Sequence, residues 1–365
     1  RHRKRELSNS YLAMGAVYYY QGDYNNSLVN YEKSLKIREE IGQSTTKSKF
    51  NIAGVKAKIG NYEEAIKDYN EVLAEQKNTG DEIGAANCLN SIAAAYNEQG
   101  NSPLALEYNN KSLAISEKIK DTIGIARSLH NLGSCYEKQE YYEKALDYYS
   151  RSLFLFEKKK NRNNIAEAKT NIASIYIITG ELKKATKFLY ESLDIAYEIG
   201  DKEQIATCSN KLGYIFLSQK DYPQAMKYFG EAISINKEFS NQLNLSISYI
   251  GTSKVFIQTH NYQEALSNIL LAKSISEDHN LLTQQRDVQQ ILSEIYQKNN
   301  NYNKALNSYK KFKLLNDSLF NKENIQKLAS IEYEYKYKQA IDSANIRELK
   351  LTKTVLSTAK DLEKT

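Results

Sequence analysis

The chain is poor in the residues that interrupt helices: 365 residues contain 2 Pro and 15 Gly, with no Trp, 2 Met and 3 Cys. So few breakers exclude ordinary interdomain linkers and a turn-rich β protein, and leave helices as the default element. Long apolar runs are missing too. Pieces such as Ile175–Ile178 and Ile269–Ala272 fall far short of the roughly 20 residues that cross a bilayer. The start at Arg1 says nothing about a signal or anchor upstream.

Charge of one sign is equally scarce. Lys and Arg number 50 against 44 Asp and Glu, and the net +6 is spread along the chain instead of forming the basic stripe that a phosphate backbone requires. Nucleic acid is therefore not an expected partner. The one basic cluster, Arg1-His2-Arg3-Lys4-Arg5, reads as a solvated end, with an anionic membrane surface as the alternative. Cys88, Cys135 and Cys208 are odd in number and widely spaced; they give no zinc motif, suggest no disulfide, and read as small buried fillers. His2, His130, His260 and His279 are too scattered for a metal cluster, and GxxxxGK[ST], GxGxxG, HExxH and GxSxG are all absent. Carboxylate pairs such as Glu39-Glu40 and Glu63-Glu64 sit beside basic residues, as on a solvated helix face. Neither catalysis nor a cofactor or metal is expected.

What is abundant is tyrosine, 29 in all, and its placement follows a repeat. The string AMGAVYYYQGDY at Ala13 to Tyr24 returns as NIAGVKAKIGNY, SIAAAYNEQGNS, NLGSCYEKQEYY, NIASIYIITGEL and KLGYIFLSQKDY. One small residue sets the period: Gly15, Ala53, Ala93, Gly133, Ala173, Gly213, Ser253 and Ser293, at a first step of 38 and then steps of 40. A second follows 12 residues later at Ser27, Ala65, Ala105, Ala145, Ala185, Ala225, Ala265 and Ala305. Apolar residues at three- and four-residue steps on both sides of a short turn make each unit two antiparallel helices. Gly22, Gly60, Gly100 and Gly180 end first helices, and Pro103 and Pro223 open second ones. Paired small residues let the helices cross closely. Tyr18, Tyr96, Tyr136 and Tyr176, and at the turns Tyr24, Tyr62, Tyr142 and Tyr222, are expected to pack between layers.

This pattern of small, aromatic and turn residues resembles the tetratricopeptide repeat in eight units, with departures at Lys56, Ser102, Leu182 and the turns Glu140, Lys220, His260 and Asn300. The resemblance implies an all-α fold, a right-handed α-solenoid of eight helix pairs over residues 1–316. The step of 40 in place of about 34 resembles a longer-helix subtype found in kinesin light chains, Pins-type scaffolds and bacterial peptide-sensing regulators. Residues 317–365 contain no Pro or Gly and are expected to cap the last unit and then project as a long helix. That helix is a candidate coiled coil for a homodimer. The layout also resembles the sensor region of Bacteroidetes histidine kinases and related membrane-anchored regulators, which implies an extracytoplasmic location, with a cytoplasmic one as the alternative.

In the family the first helix of each unit lines the concave side. Two residues before the small position stand Asn51, Ser91, Asn131, Asn171 and Lys211; six before it stand Asn9, Lys47, Asn87, Arg127 and Glu167; three before it stand Asn90, His130, Thr170 and Asn210. An amide offers donors and an acceptor to an extended peptide, and Lys47, Arg127 and Lys211 suit an acidic side chain or free carboxylate. Two readings of these residues stand side by side: a peptide-binding groove, and amides that bond neighbouring helices. Function follows as a non-catalytic peptide- or protein-binding sensor module, with a constitutive assembly scaffold as the alternative.

Overall fold

The computed structural model describes residues 2–239 and 241–320, together with Ala329, Tyr333, Lys336, Gln339, Ile341, Ser343, Ala344 and Arg347. Sixteen helices and no strand occur among the described residues. The first helices of the eight units are α1 (His2–Tyr20), α3 (Thr46–Lys58), α5 (Glu82–Glu98), α7 (Thr122–Lys138), α9 (Arg162–Ile178), α11 (Lys202–Ser218), α13 (Gln242–Gln258) and α15 (Leu282–Lys298). Their partners are α2 (Tyr24–Glu40), α4 (Tyr62–Thr79), α6 (Ser102–Lys118), α8 (Tyr142–Lys158), α10 (Leu182–Ile199), α12 (Tyr222–Glu238), α14 (Tyr262–Asp278) and α16, helical from 302 through 320.

The turns show why the chain reverses every 20 residues or so. A left-handed residue stands at each described reversal: glycine at Gly22, Gly42, Gly60, Gly80, Gly100, Gly180 and Gly200, but Lys120, Glu140, Lys160, Lys220, His260, Asn280 and Asn300 elsewhere. A side chain in that region costs about 1 to 2 kcal/mol, and helix-end bonds hold it there: Lys220 N–H donates to Leu217 O at 3.0 Å and Asp221 N–H to Phe216 O at 2.9 Å. The next residue caps the following helix. Asp81 accepts from Gly84 N–H at 2.8 Å, Asp201 from Gln204 N–H at 3.0 Å and Asn241 from Asn244 N–H at 3.1 Å.

Inside each unit the small positions are buried in contact. A methyl group on Gly133 would stand 2.7 Å from the Tyr149 ring, and one on Gly213 2.7 Å from the Phe229 ring. The smallness is thus demanded by a second-helix side chain as well as by the approach of the backbones. Where serine replaces alanine it spans the gap: Ser27 Oγ donates to Gly15 O at 2.9 Å and Ser253 Oγ to Ala265 O at 2.8 Å. Buried serines also tie each second helix to its first, as Ser112 to Ala86 O, Ser152 to Ala126 O and Ser192 to Ala166 O, at 2.7 to 2.8 Å. The deepest aromatics are Tyr149, Phe156 and Phe229, all on second helices. The repeat tyrosines form a shallower layer, with Tyr136 stacked on Tyr148 at 5.3 Å and Tyr302 largely exposed. The three cysteines are free and buried.

From α3 onward successive first helices touch one another, whereas no pair of successive second helices makes comparable contact. First helices therefore line the inner face. The superhelix closes on itself: Tyr24 hydroxyl donates to Glu203 Oε2 at 2.6 Å, Lys58 Nζ reaches the same carboxylate at 3.2 Å, and Gly22 lies beside Phe239. Units 1 and 2 thus meet unit 6. No described helix is long and apolar enough to cross a membrane. The expected coiled coil lies outside the described residues. Tyr333 packs onto the apolar patch of Ala105, Leu106, Leu132 and Cys135.

Gly133→Ala is expected to destabilise by about 1 to 3 kcal/mol through overpacking against Tyr149. Gly230→Ala, which meets nothing, is expected to gain about 0.5 to 1 kcal/mol, both read by urea denaturation. Glu203→Ala combined with Tyr24→Phe should raise the radius of gyration in small-angle scattering at unchanged helicity; an unchanged radius would show that this contact does not hold the turn closed.

Candidate functional site

One helical turn separates residues six and two before the small position, so both series share the inward stripe of each first helix. The position three before is rotated from the second series by about 100°, and its residues enter the seam between adjacent first helices. Asn90 Oδ1 accepts from Ser128 Oγ at 3.0 Å, Asn210 Oδ1 from Ser248 Oγ at 2.7 Å, and Thr170 Oγ1 lies 3.3 Å from Cys208 Sγ. Each bond links residue n to residue n+38, so the seam repeats with the fold. Thr170 also meets Ser192 at 2.9 Å and Gln204 at 2.5 Å. Thr170 and Asn210 are buried and committed to neighbouring helices.

The inward stripe is more open. Asn87, Asn90, Ser91, Arg127, His130 and Asn131 line one recess of about 180 Å³, with Phe50, Ala94, Asn164 and Glu167 completing it. A second recess of about 280 Å³ adjoins it, sharing Ala94, His130, Asn131 and Glu167 and adding Asn97, Glu98, Ser134, Glu137, Tyr149 and Asn171. Seven expected residues therefore converge on α5, α7 and α9. The others do not join them. Asn9 is exposed and accepts from Arg38 Nη2 at 2.7 Å, Lys47 is exposed, and Asn51 is half-buried. Lys211 is ringed by protein; burial pulls its ammonium below the ordinary lysine value, against the pull of the Glu137 charge.

Some amides here also bond across the seam. Arg127 Nη1 donates to Asn87 Oδ1 at 2.6 Å, Asn131 Nδ2 to Asn90 O at 3.1 Å, and Asn171 Nδ2 lies 3.1 Å from His130 Nε2. Three buried polar atoms of residues that line the recesses have no protein partner: Asn90 Nδ2, Asn97 Oδ1 and His130 Nδ1, on residues 4%, 3% and 7% exposed. Each such atom costs about 1 to 3 kcal/mol unless water or a ligand satisfies it. Larger or similar recesses lie at Leu217 to Glu294 and at Lys273 to Leu315. No residue lining either carries a buried side-chain polar atom without a partner, so the chemistry favours the pair on α5, α7 and α9.

The electrostatics add carboxylates that the sequence reading left aside. Desolvation in the groove pushes the Glu167 carboxyl up, but contact with His130, 3.7 Å away, and the charge of Lys58 outweigh it and hold it at about 2. Glu137 accepts from the Tyr149 hydroxyl at 2.7 Å, and burial, reinforced by Glu137, keeps that phenol far above its ordinary value. Glu98 pairs with Lys138 at 3.1 Å. Asn97 and Glu137 stand four residues after the small position, where units 5 to 7 carry Ile177, Leu217 and Ile257. A polar residue there in two adjacent units was the available signal. Among the described residues no group of His, Cys, Asp or Glu is placed to hold a metal ion.

The family model of the tetratricopeptide repeat matches residues 6–77, 44–118, 85–158 and 164–238. No curated protein matches the sequence. A Rap protein complexed with competence and sporulation factor is similar at 14% identity and TM-score 0.61, over 87% of this chain and 99% of its own. A signal-transduction ATPase with numerous domains and a tetratricopeptide repeat sensor, from Pyrococcus horikoshii, is similar at 19% identity and TM-score 0.58 over 86% of this chain and 49% of its own. The APC/C hetero-tetramer Cut9-Hcn1 gives 12% identity and TM-score 0.64 over 87% and 55%. At these identities the likeness is one of fold.

The Glu167 carboxyl, lowered in the fold from an ordinary value of about 4.3, contributes stability that is present above pH about 4 and lost as pH falls toward about 2. Glu167→Gln is expected to flatten that acid limb of the stability curve. An acid limb identical to wild type would show that His130 and Lys58 do not hold the carboxylate.

Proposed function

The chain belongs to the tetratricopeptide repeat family, and from that premise we propose that it is a non-catalytic module that binds an extended peptide or protein segment on α5, α7 and α9. One observation carries the reading: two adjoining recesses on the inner face contain buried donors and acceptors that the protein itself leaves without partners. A peptide backbone supplies both complements at once. The guanidinium of Arg127, with only Nη1 engaged, suits a carbonyl or carboxylate of the ligand.

The finer reading is a sensor region of a signalling protein. Two neighbours support it by what their names say of them: one is complexed with a competence and sporulation factor, and the other carries a repeat sensor. Within this chain, α7 supplies Arg127, His130 and Asn131 to the recesses, while Leu132 and Cys135 of the same helix seat Tyr333. A ligand that shifts α7 against α5 would therefore reach the C-terminal segment through one rigid element. A membrane-anchored, extracytoplasmic setting belongs to this reading, and a membrane helix encoded beyond Thr365 would support it. The rival reading, a constitutive scaffold, draws on the seam bonds of Asn90, Thr170 and Asn210, which need no ligand.

Retention of a random synthetic hexapeptide library separates the two. Arg127→Ala with Asn131→Ala is expected to cut retention by about tenfold or more, the scale of losing hydrogen bonds to a charged group. The melting temperature should move by only about 2 °C. A matching fall in melting temperature with retention unchanged would favour the scaffold.

A further inference from the structure

The two recesses share His130, Asn131, Glu167 and Ala94, yet their unused hydrogen-bonding groups are of opposite kind. Besides the shared Glu167, those of the first are donors: Asn90 Nδ2, and the guanidinium nitrogens of Arg127 other than Nη1. In the second they are mainly acceptors. Asn97, 3% exposed, keeps Oδ1 without a partner, while its Nδ2 is given to Ser134 Oγ at 2.9 Å. Glu137 receives the neutral hydroxyl of Tyr149. Glu167 faces His130 at 3.7 Å and leaves over half of its side chain open. Glu98 is already paired with Lys138. Lys58 pairs with Glu203 at 3.2 Å and reaches Glu167 only by its charge, and Lys211 likewise acts on Glu137 by charge without forming an ion pair with it.

A cationic group entering between Glu137 and Glu167 would gain charge-assisted hydrogen bonds to both, and a donor there also satisfies the orphaned amide oxygen. A space of about 280 Å³ admits the head of such a group. We propose that the second recess is a subsite for one cationic group of the bound segment, an arginine guanidinium, a lysine ammonium or a free N-terminal amine. Glu137 and Glu167 flank that group and Asn97 Oδ1 completes its shell. A carbonyl or carboxylate of the same segment lies against Arg127 and Asn90 in the first recess. The inference rests on the groove reading above and changes its chemistry: the cations expected to select an acidic ligand share the groove with carboxylates that select a basic one.

The test uses acetylated and amidated hexapeptide libraries fixed at one position as Arg, Lys, Ala or Glu, and the Ala library with a free N-terminus. Each is applied to wild type, Glu137→Gln and Glu167→Gln. Wild type is expected to retain the Arg or Lys library, or the free-amine library, at least tenfold over the acetylated Ala library. Which of them is retained names the source of the cation. Both variants should lose that preference, and the half-exposed Glu167 makes its variant safe for folding. Retention without a basic preference, or a preference unchanged in both variants, overturns the subsite and leaves the groove reading standing. Failure of wild type to retain any library overturns the groove reading itself.

Discussion

The contact on which this structure depends is the crossing of two helices at a residue too small to hold them apart. Gly133 under Tyr149 and Gly213 under Phe229 show how little space remains, and Ser27 and Ser253 bridge the same crossing with a hydroxyl bonded to the facing carbonyl. Because each unit is clamped there, it behaves as a block, and the remaining freedom lies between blocks. Left-handed turn residues, most of them followed by an Asp or Asn cap, then set α4 to α15 to 17 or 18 residues each.

Equal helices stacked with first helices inward present their faces in register, and that register turns a sequence period into a seam. Asn90 to Ser128 and Asn210 to Ser248 are the same bond made in different units. The seam holds adjacent first helices through polar groups, which cost little to rearrange compared with a packed apolar core, because each broken bond can be replaced by one to water or to a ligand. On α5, α7 and α9, amides and carboxylates meet in recesses that leave part of their capacity unused. Stability and binding draw on the same residues there.

Much of this is legible without coordinates. Gly15, Ala53, Ala93 and their equivalents announce the crossings, and Asn87, Ser91, Arg127 and Asn131, spaced to share one inward stripe, line one recess. The reading was weaker where adjacent positions take different surroundings. Asn90 and Ser91 are neighbours in the chain, yet Asn90 is buried in the seam and Ser91 is half-buried, a distinction of one rotation about the helix axis. The deep rings were missed because their position varies among Tyr31, Tyr69, Asn109, Tyr149, Leu189 and Phe229, so no conserved-looking period marks it. Asn97 and Glu137 were missed for a related reason: units 5 to 7 fill that place with apolar residues, and scattered polar exceptions resemble noise until α7 and α9 bring Glu167 beside them.

The sequence by itself determined the unit: its two helices, its turns, its small crossing residues and the face turned inward. These follow from interactions within about 40 residues, where periodicity and capping act directly. Only the tertiary structure decided how far the stack coils. It brings Tyr24 to Glu203 and Tyr333 to Leu106, and it decides which inward residues meet in a common recess. Small rotations between successive units add along the solenoid, and no local pattern of residues states their sum.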